Sequence, residues 1–287
     1  MNGPTVKEAY YAAKKCLEEA GVEDAAFDAG CLLEKDTGIT RERLPLLPGR
    51  GAVECPGLDT FEKDVARRAA GEPLQYILGE WEFLGRPFRV GPGVLIPRPE
   101  TELLALTAAG FLKKRPAPRL LELCAGSGCV MLSAALEVPD CRVTGLELSP
   151  DAARWCRRNI RRYGLASRAD LCMGDMLDPT APGRFDGGFD CLVCNPPYIP
   201  SGELPGLQRE VRREPAMALD GGPDGLRFYR ALGRWLPVLA AGGLLAVEVG
   251  AGEASAVTEI FRDFGLRRVQ ILDDLAGIGR VVAGFRP

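Results

Sequence analysis

The chain of 287 residues has no histidine. That absence excludes Ser-His-Asp and Cys-His triads and every histidine general base. Positive charge is not in excess either. Thirty-six Lys and Arg stand against 39 Asp and Glu, a net charge of −3, and there is no basic stripe of the kind a nucleic-acid binder carries. No uninterrupted apolar run approaches a membrane span, and "MNGPTVKEAYYAAKK" lacks the apolar centre of a signal peptide. A cytoplasmic protein with no membrane partner is expected. Cysteine is plentiful, with ten residues, but only Cys191 and Cys194 form a C-x-x-C. Without a second pair or a histidine this is no metal set. Three residues apart on a strand, the two thiols would also point to opposite faces. Buried free thiols and no metal are expected.

What is present is ordinary for a globular protein: 46% hydrophobic and 26% charged residues, in a length that suits one large domain or two smaller ones. The first third reads as helical. "TVKEAYYAAKKCLEEAG" opens on a capping box, Thr5 with Glu8, and stops at Gly21. A second helix runs from Asp24 to Gly38. A third, "LDTFEKDVARRAAGEP", takes Asp59 and Glu62 as its box and Gly71 and Pro73 as its stop. A Pro/Gly loop, "LPLLPGRGAVECPG", joins the last two. A helical N-terminal domain over 1–74 is expected.

"QYILGEWEFLGRPFRV" then carries aromatic and β-branched residues punctuated by glycines, predicting a β-hairpin linker over 75–97. A helix starts near Glu100. Beyond residue 118, strands such as "RLLELC", "CRVTGLEL", "ADLCM", "FDCLVC" and "GLLAVEV" alternate with helices, one of them capped by Ser149 with Pro150 behind it. This alternation predicts an α/β domain over 98–287, built on a mostly parallel sheet with helices on both faces. "LRRVQIL" and "GRVVAGFR" have only a short loop between them, so this terminal pair must be antiparallel.

"LLELCAGSGCV" follows a strand and opens a helix, where open α/β sheets bind nucleotides. Gly126 and Gly128 let a ligand approach the backbone. A dinucleotide loop wants three glycines, yet Cys124 stands at the first position and Met131 at the third. Glu147 ends the next strand about 20 residues on, where a carboxylate accepts from ribose hydroxyls. Its bland reading is a solvated strand-end acid. Asp175 and Met176 end the third strand and suit an adenine amino group and ring, although a Gly-Asp at a strand end is often only a turn. An adenosyl cofactor without phosphates fits best, and S-adenosylmethionine is that molecule. The antiparallel terminal pair is the habit of Rossmann-like class I methyltransferases.

"NPPY" ends the fourth strand on the same edge. Asn195 offers a side-chain oxygen and Pro196 a carbonyl, while Pro196 and Pro197 donate nothing from their backbone and hold it stiff. Tyr198 would pack on a flat group. Two acceptors suit a planar nitrogen whose lone pair is shared with a carbonyl or ring and must be aimed before it can attack a methyl group. The bland reading is a stiff turn after a buried strand.

"GEPLQYILGEWEFLGRPFRVGPGVLIPRPETELL", "LELCAGSGCV", "NPPYIP", "EPAMALDGGPDGLRFY" and "DDLAGIGRVVAGF" together resemble the peptide chain release factor glutamine N5-methyltransferases. The resemblance runs from about residue 71 to the end of the chain, and the helical N-terminal domain matches in kind. It implies methylation of the side-chain amide of the glutamine in the Gly-Gly-Gln tripeptide of class 1 release factors, with S-adenosylmethionine as donor. By motif, Cys124, Ala125, Gly126, Ser127 and Gly128 would hold the methionine end of the donor and Glu147 its ribose. Met176 would lie by the adenine, and Asn195 to Tyr198 would hold the glutamine, with Asn195 also near the methyl group. Cys124 stands where many members have Gly, and Glu147 where many have Asp. "PRPET" presents Arg98, Glu100 and Thr101. Thr101 could cap the next helix, or the segment could wall the cofactor. In the long irregular segment 201–224, Arg209, Arg212 and Arg213 could meet a protein partner or form a solvated face.

Three other readings stand beside this one. An N6-adenine or N2-guanine nucleic-acid methyltransferase would need a basic surface. An NAD-dependent oxidoreductase would need the third glycine. A binding module that kept the fold would bind the cofactor without turnover.

Overall fold

The computed structural model describes residues 4–47 and 55–287. The chain divides into two compact units, one of residues up to Glu80 together with Gln208–Arg213, the other of Trp81–Leu207 and Glu214–Pro287.

In the first unit, α1 (Val6–Glu19) opens on the expected box. The Thr5 hydroxyl accepts from Glu8 N at 3.2 Å, and the Glu8 carboxylate accepts from Thr5 N at 2.8 Å. Val6, Ala9, Tyr10, Ala13 and Leu17 form its buried stripe. α2 (Ala25–Thr37) is capped by Asp24 and ends on left-handed Gly38, as expected. α3 (Leu58–Ala69) differs. It begins after Gly57, so Asp59 and Glu62 lie inside the helix and no side chain caps it. Gly57 is required there because φ is +101° and a Cβ would come 1.9 Å from the Asp36 carbonyl oxygen. Part of the expected Pro/Gly loop, residues 48–54, lies outside the described residues. Leu74–Leu78 form a short helix, α4, rather than the first strand of a hairpin, with Pro73 before it and left-handed Gly79 ending it.

Gln208–Arg213 folds with these helices. Arg209 donates to Ala69 O at 3.2 Å and Arg213 to Ala70 O at 3.3 Å. Both arginines thus satisfy carbonyls left open at the end of α3. Arg68 is buried between Asp28, at 2.6 Å, and Glu210, at 2.8 Å. Burial already pushes the Asp28 carboxyl up in pKa, against the pull of Arg68.

The second unit holds β1 (Glu80–Phe83) from its second residue on, β2 (Arg86–Arg89), α5 (Thr101–Leu112), β3 (Arg119–Leu123), α6 (Cys129–Glu137), β4 (Arg142–Glu147), α7 (Pro150–Arg162), β5 (Ala169–Met173), β6 (Phe189–Cys194), α8 (Arg227–Ala231), β7 (Leu239–Glu248), α9 (Ala254–Asp263), β8 (Arg267–Asp273) and β9 (Gly279–Phe285). The main sheet runs β5-β4-β3-β6-β7-β9-β8. β3 to β7 are parallel, and β9 is antiparallel to both neighbours, as the short final loop requires. Apolar layers cover both faces. The chain adds β4 and β5 on one side of β3 and then returns to the other side at β6. That reversal opens a crevice at the carboxyl edge.

The hairpin of β1 and β2 is not a free connector. Phe83 and Phe88 are buried in the sheet unit's core, and the Tyr163 hydroxyl donates to Pro87 O at 2.7 Å. Asn159 on α7, fully buried, accepts from Arg89 N at 2.7 Å and donates to Arg89 O and Ser127 O at 3.0 and 2.9 Å. One side chain therefore ties the hairpin to the loop after β3. Among the described residues no helix is long and apolar enough to cross a membrane.

Arg68→Ala strands Asp28 in an apolar setting and is expected to cost about 3–5 kcal/mol, read as a lower unfolding midpoint of the full chain. Arg68→Met combined with Asp28→Leu is expected to recover most of that loss, and a double variant as weak as the single one would contradict this account.

Candidate active site

A cavity of about 370 Å³ opens at the carboxyl edge of the parallel strands, within the size range of small-molecule sites. Its floor is the loop from β3 to α6. Three residues there are left-handed: Cys124 at φ +57°, Gly126 at +55° and Gly128 at +78°. A side chain in that region costs roughly 1–2 kcal/mol, so Cys124 is mildly strained where glycine would not be. Its Sγ rests 3.4 Å from Met176 Sδ. The two glycines have different jobs. A Cβ on Gly126 would meet nothing nearer than the Cys124 carbonyl oxygen at 3.9 Å, and this residue lines the cavity. A Cβ on Gly128 would come 2.8 Å from Cys156 Sγ, and Gly128 does not line the cavity. Cys124, Ala125, Gly126 and Ser127 face the opening, and Gly128 serves the packing of α6.

Glu147 ends β4 beside this loop. Its carboxylate accepts from Gly126 N at 2.8 Å and Ser149 N at 2.7 Å. Burial pushes its pKa above the usual carboxylate range, and these N–H groups pull it back. Asp175 and Met176 also line the cavity. Asp175 accepts from Leu177 N at 2.8 Å, closing the turn, and Trp235 Nε1 anchors Met176 O at 3.0 Å.

Asn195 and Pro197 face the same cavity, whereas Pro196 and Tyr198 are not among the residues that line it. Tyr198 is turned toward the apolar layer on the α8 and α9 face, where a Cβ on Gly250 would come 3.1 Å from its ring. The expectation that this ring covers a flat ligand group is not met in this arrangement. The corner is braced from its far side. Ile199 N donates to Leu219 O at 2.9 Å, Gly221 N to Ile199 O at 2.8 Å, and Ser201 Oγ to Asp220 at 2.6 Å. Gly221 has no room for a Cβ, which would lie 2.7 Å from Tyr198 Cα. "EPAMALDGG" is thus the clamp on "NPPY".

Arg98 and Thr101 line the cavity too. Glu214, 5% exposed, accepts from Ile96 N at 2.9 Å and pairs with Arg98, so it joins "PRPET" to "EPAMAL" over the opening. Thr101 does not cap α5, whose N-cap is Glu100. Its hydroxyl accepts from Asn195 Nδ2 at 3.2 Å.

Sequence reasoning missed Glu122, which lines the cavity and accepts from Met131 N at 2.9 Å, and Glu248 at the end of β7. Both are 2% exposed. The available signal was an acid inside an otherwise apolar strand, "LLELC" and "LLAVEV". Burial pushes Glu122 well above its ordinary pKa and Glu248 up to about 7. All ten cysteines are free. Burial raises the thiols of Cys129, Cys141, Cys156, Cys191 and Cys194, so none of these is a ready thiolate. Cys16 is exposed rather than buried. Among the described residues no group of His, Cys, Asp and Glu is arranged to hold a metal.

Residues 8–79 match the family model described as PrmC N-terminal domain, and residues 120–214 match one described as methyltransferase domain. The release factor glutamine methyltransferase of Moorella thermoacetica is 39% identical over 98% of this chain and 99% of the relative. The protein of the same name in Geobacter sulfurreducens is 43% identical over 93% and 92%. The chain belongs to the release factor glutamine methyltransferase family. It is a methyltransferase with the class I fold, and the oxidoreductase reading falls with that assignment. A methyltransferase structure from Pyrococcus furiosus superposes with a TM-score of 0.52 at 20% identity, covering 78% of this chain and 98% of that one, a likeness of fold alone.

In this member of the family, Gly126→Ala is expected to cost about 1–2 kcal/mol of stability while abolishing S-adenosylmethionine binding by calorimetry. Gly128→Ala adds an overpacking cost of about 1–3 kcal/mol, so its melting temperature should fall further. The reverse ranking in stability would refute the division of labour between the two glycines.

Proposed function

We propose that this enzyme transfers a methyl group from S-adenosylmethionine to the side-chain amide nitrogen, N5, of the glutamine in the Gly-Gly-Gln tripeptide of class 1 release factors. Close relatives carry the name release factor glutamine methyltransferase. The observation that carries the reading is that Asn195 opens on the same cavity as Gly126 and Glu147, with its amide nitrogen already occupied by Thr101.

The donor supplies a methyl carbon on a positively charged sulfur. Cys124, Ala125, Gly126 and Ser127 hold its methionine end, the Glu147 carboxylate accepts from its ribose hydroxyls, and Asp175 and Met176 take the adenine. The lining supports this fit: an acid at the ribose position, a sulfur beside the ring position and an open glycine between them. Asn195 Oδ1 accepts one N–H group of the substrate amide at the cavity, and the neighbouring Pro196 carbonyl, which lies outside the cavity lining, is the second acceptor once the amide is seated. Accepting both partly frees the nitrogen lone pair from its carbonyl and aims it. Pro196 and Pro197 keep the acceptors stiff, and Tyr198 supports the corner from its inner side. Alignment and exclusion of water of this kind are worth about 7–11 kcal/mol. As the N–C bond forms, the nitrogen turns strongly acidic and its proton leaves to water. A chain without histidine is adequate for that chemistry. The helical unit helps to dock the release factor.

Incubation with methyl-labelled donor and a release factor, followed by peptide mapping, is expected to place the label on the Gly-Gly-Gln glutamine and none on a Gln→Ala release factor. Label on a nucleobase, or equal labelling of the Ala form, would overturn the reading. Asn195→Ala is expected to lower kcat by about 10²–10³, the usual loss when one polar contact to the reacting group is removed, while donor affinity is largely kept.

Because the Glu147 pKa is raised and ribose hydroxyls favour its charged form, donor binding must lower it. By linkage the affinity must then weaken as pH falls through the raised value. Glu147→Gln is expected to bind roughly 10- to 100-fold more weakly, as for a lost charge-assisted hydrogen bond, and to lose that pH slope. An unchanged slope in titration calorimetry would remove Glu147 from the ribose role.

A further inference from the structure

Four exposed large apolar side chains of the sheet unit gather at one edge of the sheet. Leu148 and Met217 line the cavity itself. Leu275 and Ile278 lie in the turn between β8 and β9. β9 runs antiparallel to β7, and β8 antiparallel to β9, so this turn stands at the carboxyl edge where the parallel strands end. Single apolar residues scattered over a surface need no explanation, but a group of them beside a site marks a contact surface.

The turn is built to hold its tip out. Asp274 N donates to Ile278 O at 2.8 Å, and Gly277 N to Asp274 O at 3.0 Å. One oxygen of the Asp274 carboxylate accepts from Ala276 N at 2.9 Å and from Ile278 N at 3.0 Å, and the other pairs with Arg280 at 3.0 Å. Gly277 supplies the left-handed step, at φ +76°. Leu275 stands at the tip, 110% exposed, as open as in an extended chain. An apolar group on so braced a loop has little freedom left to lose on binding.

The same turn is joined to the acceptor corner. Arg280 O accepts from Val249 N at 2.9 Å, and a Cβ on the next residue, Gly250, would come 3.1 Å from the Tyr198 ring. β9 lies two strand places from β6, roughly 10 Å at the usual spacing. A standard protein interface covers about 800 Å² of each partner, a patch of about 16 Å radius. A protein whose glutamine reaches Asn195 therefore extends over this tip.

We propose that Leu275, with Ile278 beside it, is a docking anchor for the protein substrate and seats in an apolar pocket of the release factor next to its Gly-Gly-Gln tripeptide. This rests on the reading of the release factor as the substrate. Neither residue lines the cavity, so the anchor acts on the binding of the release factor and takes no part in methyl transfer.

The test compares the full-length wild-type enzyme with Leu275→Ser and with Leu275→Ser/Ile278→Ser, at saturating donor, over a range of release factor concentrations. KM for the release factor is expected to rise about 10- to 100-fold, the usual loss at an apolar hot spot, with kcat, donor affinity and melting temperature unchanged. Leu275→Met should behave as wild type. Leu106→Ser, at an exposed leucine in the middle of α5, should leave KM unmoved. An unchanged KM in both tip variants, a defect confined to kcat, or an equal defect in Leu106→Ser would each overturn the inference. So would a wild-type dimer in sedimentation that the serine variants dissociate with KM intact, because the tip would then face a second copy of this chain. Wild-type enzyme that labels no release factor glutamine defeats the substrate reading, and this inference with it. Normal labelling with an unmoved KM defeats the anchor alone.

Discussion

Parallel pairing in the sheet is the constraint from which the site follows. A parallel strand can be reached only by a crossover, so β3, β4, β5, β6 and β7 must all end on one edge. Because the chain fills β4 and β5 on one side of β3 and β6 on the other, the loop after β3 lies between the strand ends that present Glu147 and Asn195. These two strands sit two places apart, roughly 10 Å at the usual spacing. A small molecule lying over the glycine loop can therefore touch the first residue and reach the second. The chemistry is located by topology before any side chain contributes.

Irregular backbone over such an edge must be held by something other than the sheet ladder, and here buried polar side chains hold it. Glu122 takes an N–H of α6, Glu147 takes two from the loops beside it, Glu214 takes one from the segment before α5, and Asn159 takes both groups of Arg89 as well as the Ser127 carbonyl. Each satisfies backbone groups that burial would otherwise leave unpaired. Burying these acids has a cost, visible in the raised pKa of Glu122, Glu147 and Glu248. The return is a rigid floor and a rigid rim. Glu248 departs from the pattern. Its Oε2 is buried with no hydrogen-bond partner among the described residues, so it satisfies no backbone group in return for its burial.

Rigidity around Asn195 is likewise shared. Two prolines remove backbone freedom, the 219–221 backbone is hydrogen bonded along Ile199, and the Tyr198 ring is packed inward. Thr101 then holds the last free torsion, the side-chain amide. In the proposed acceptor role each of these restraints would help, because every degree of freedom removed beforehand is one that need not be frozen in the transition state.

Much of this was legible in the residues themselves. The Thr5 and Glu8 box, the Asp24 and Gly38 ends of α2, the alternation that makes a parallel sheet and the short loop that makes its last pair antiparallel are all local signals. So are the glycine loop, Glu147 and Asn195, because a strand end followed by a helix start places a residue on the carboxyl edge whatever the rest of the chain does. The pairing of distant segments was beyond such reading. Leu74–Leu78 looked like strand and coils into a helix between Pro73 and Gly79. Gly57 starts α3 because the end of α2 leaves no room for a Cβ. Arg209 and Arg213 go to carbonyls about 140 positions earlier in the chain. The inward turn of Tyr198, the packing role of Gly128 and the contact of Thr101 with Asn195 depend on which segments become neighbours. Local spacing determines which residues reach the edge, and only the folded packing decides which way their polar atoms face.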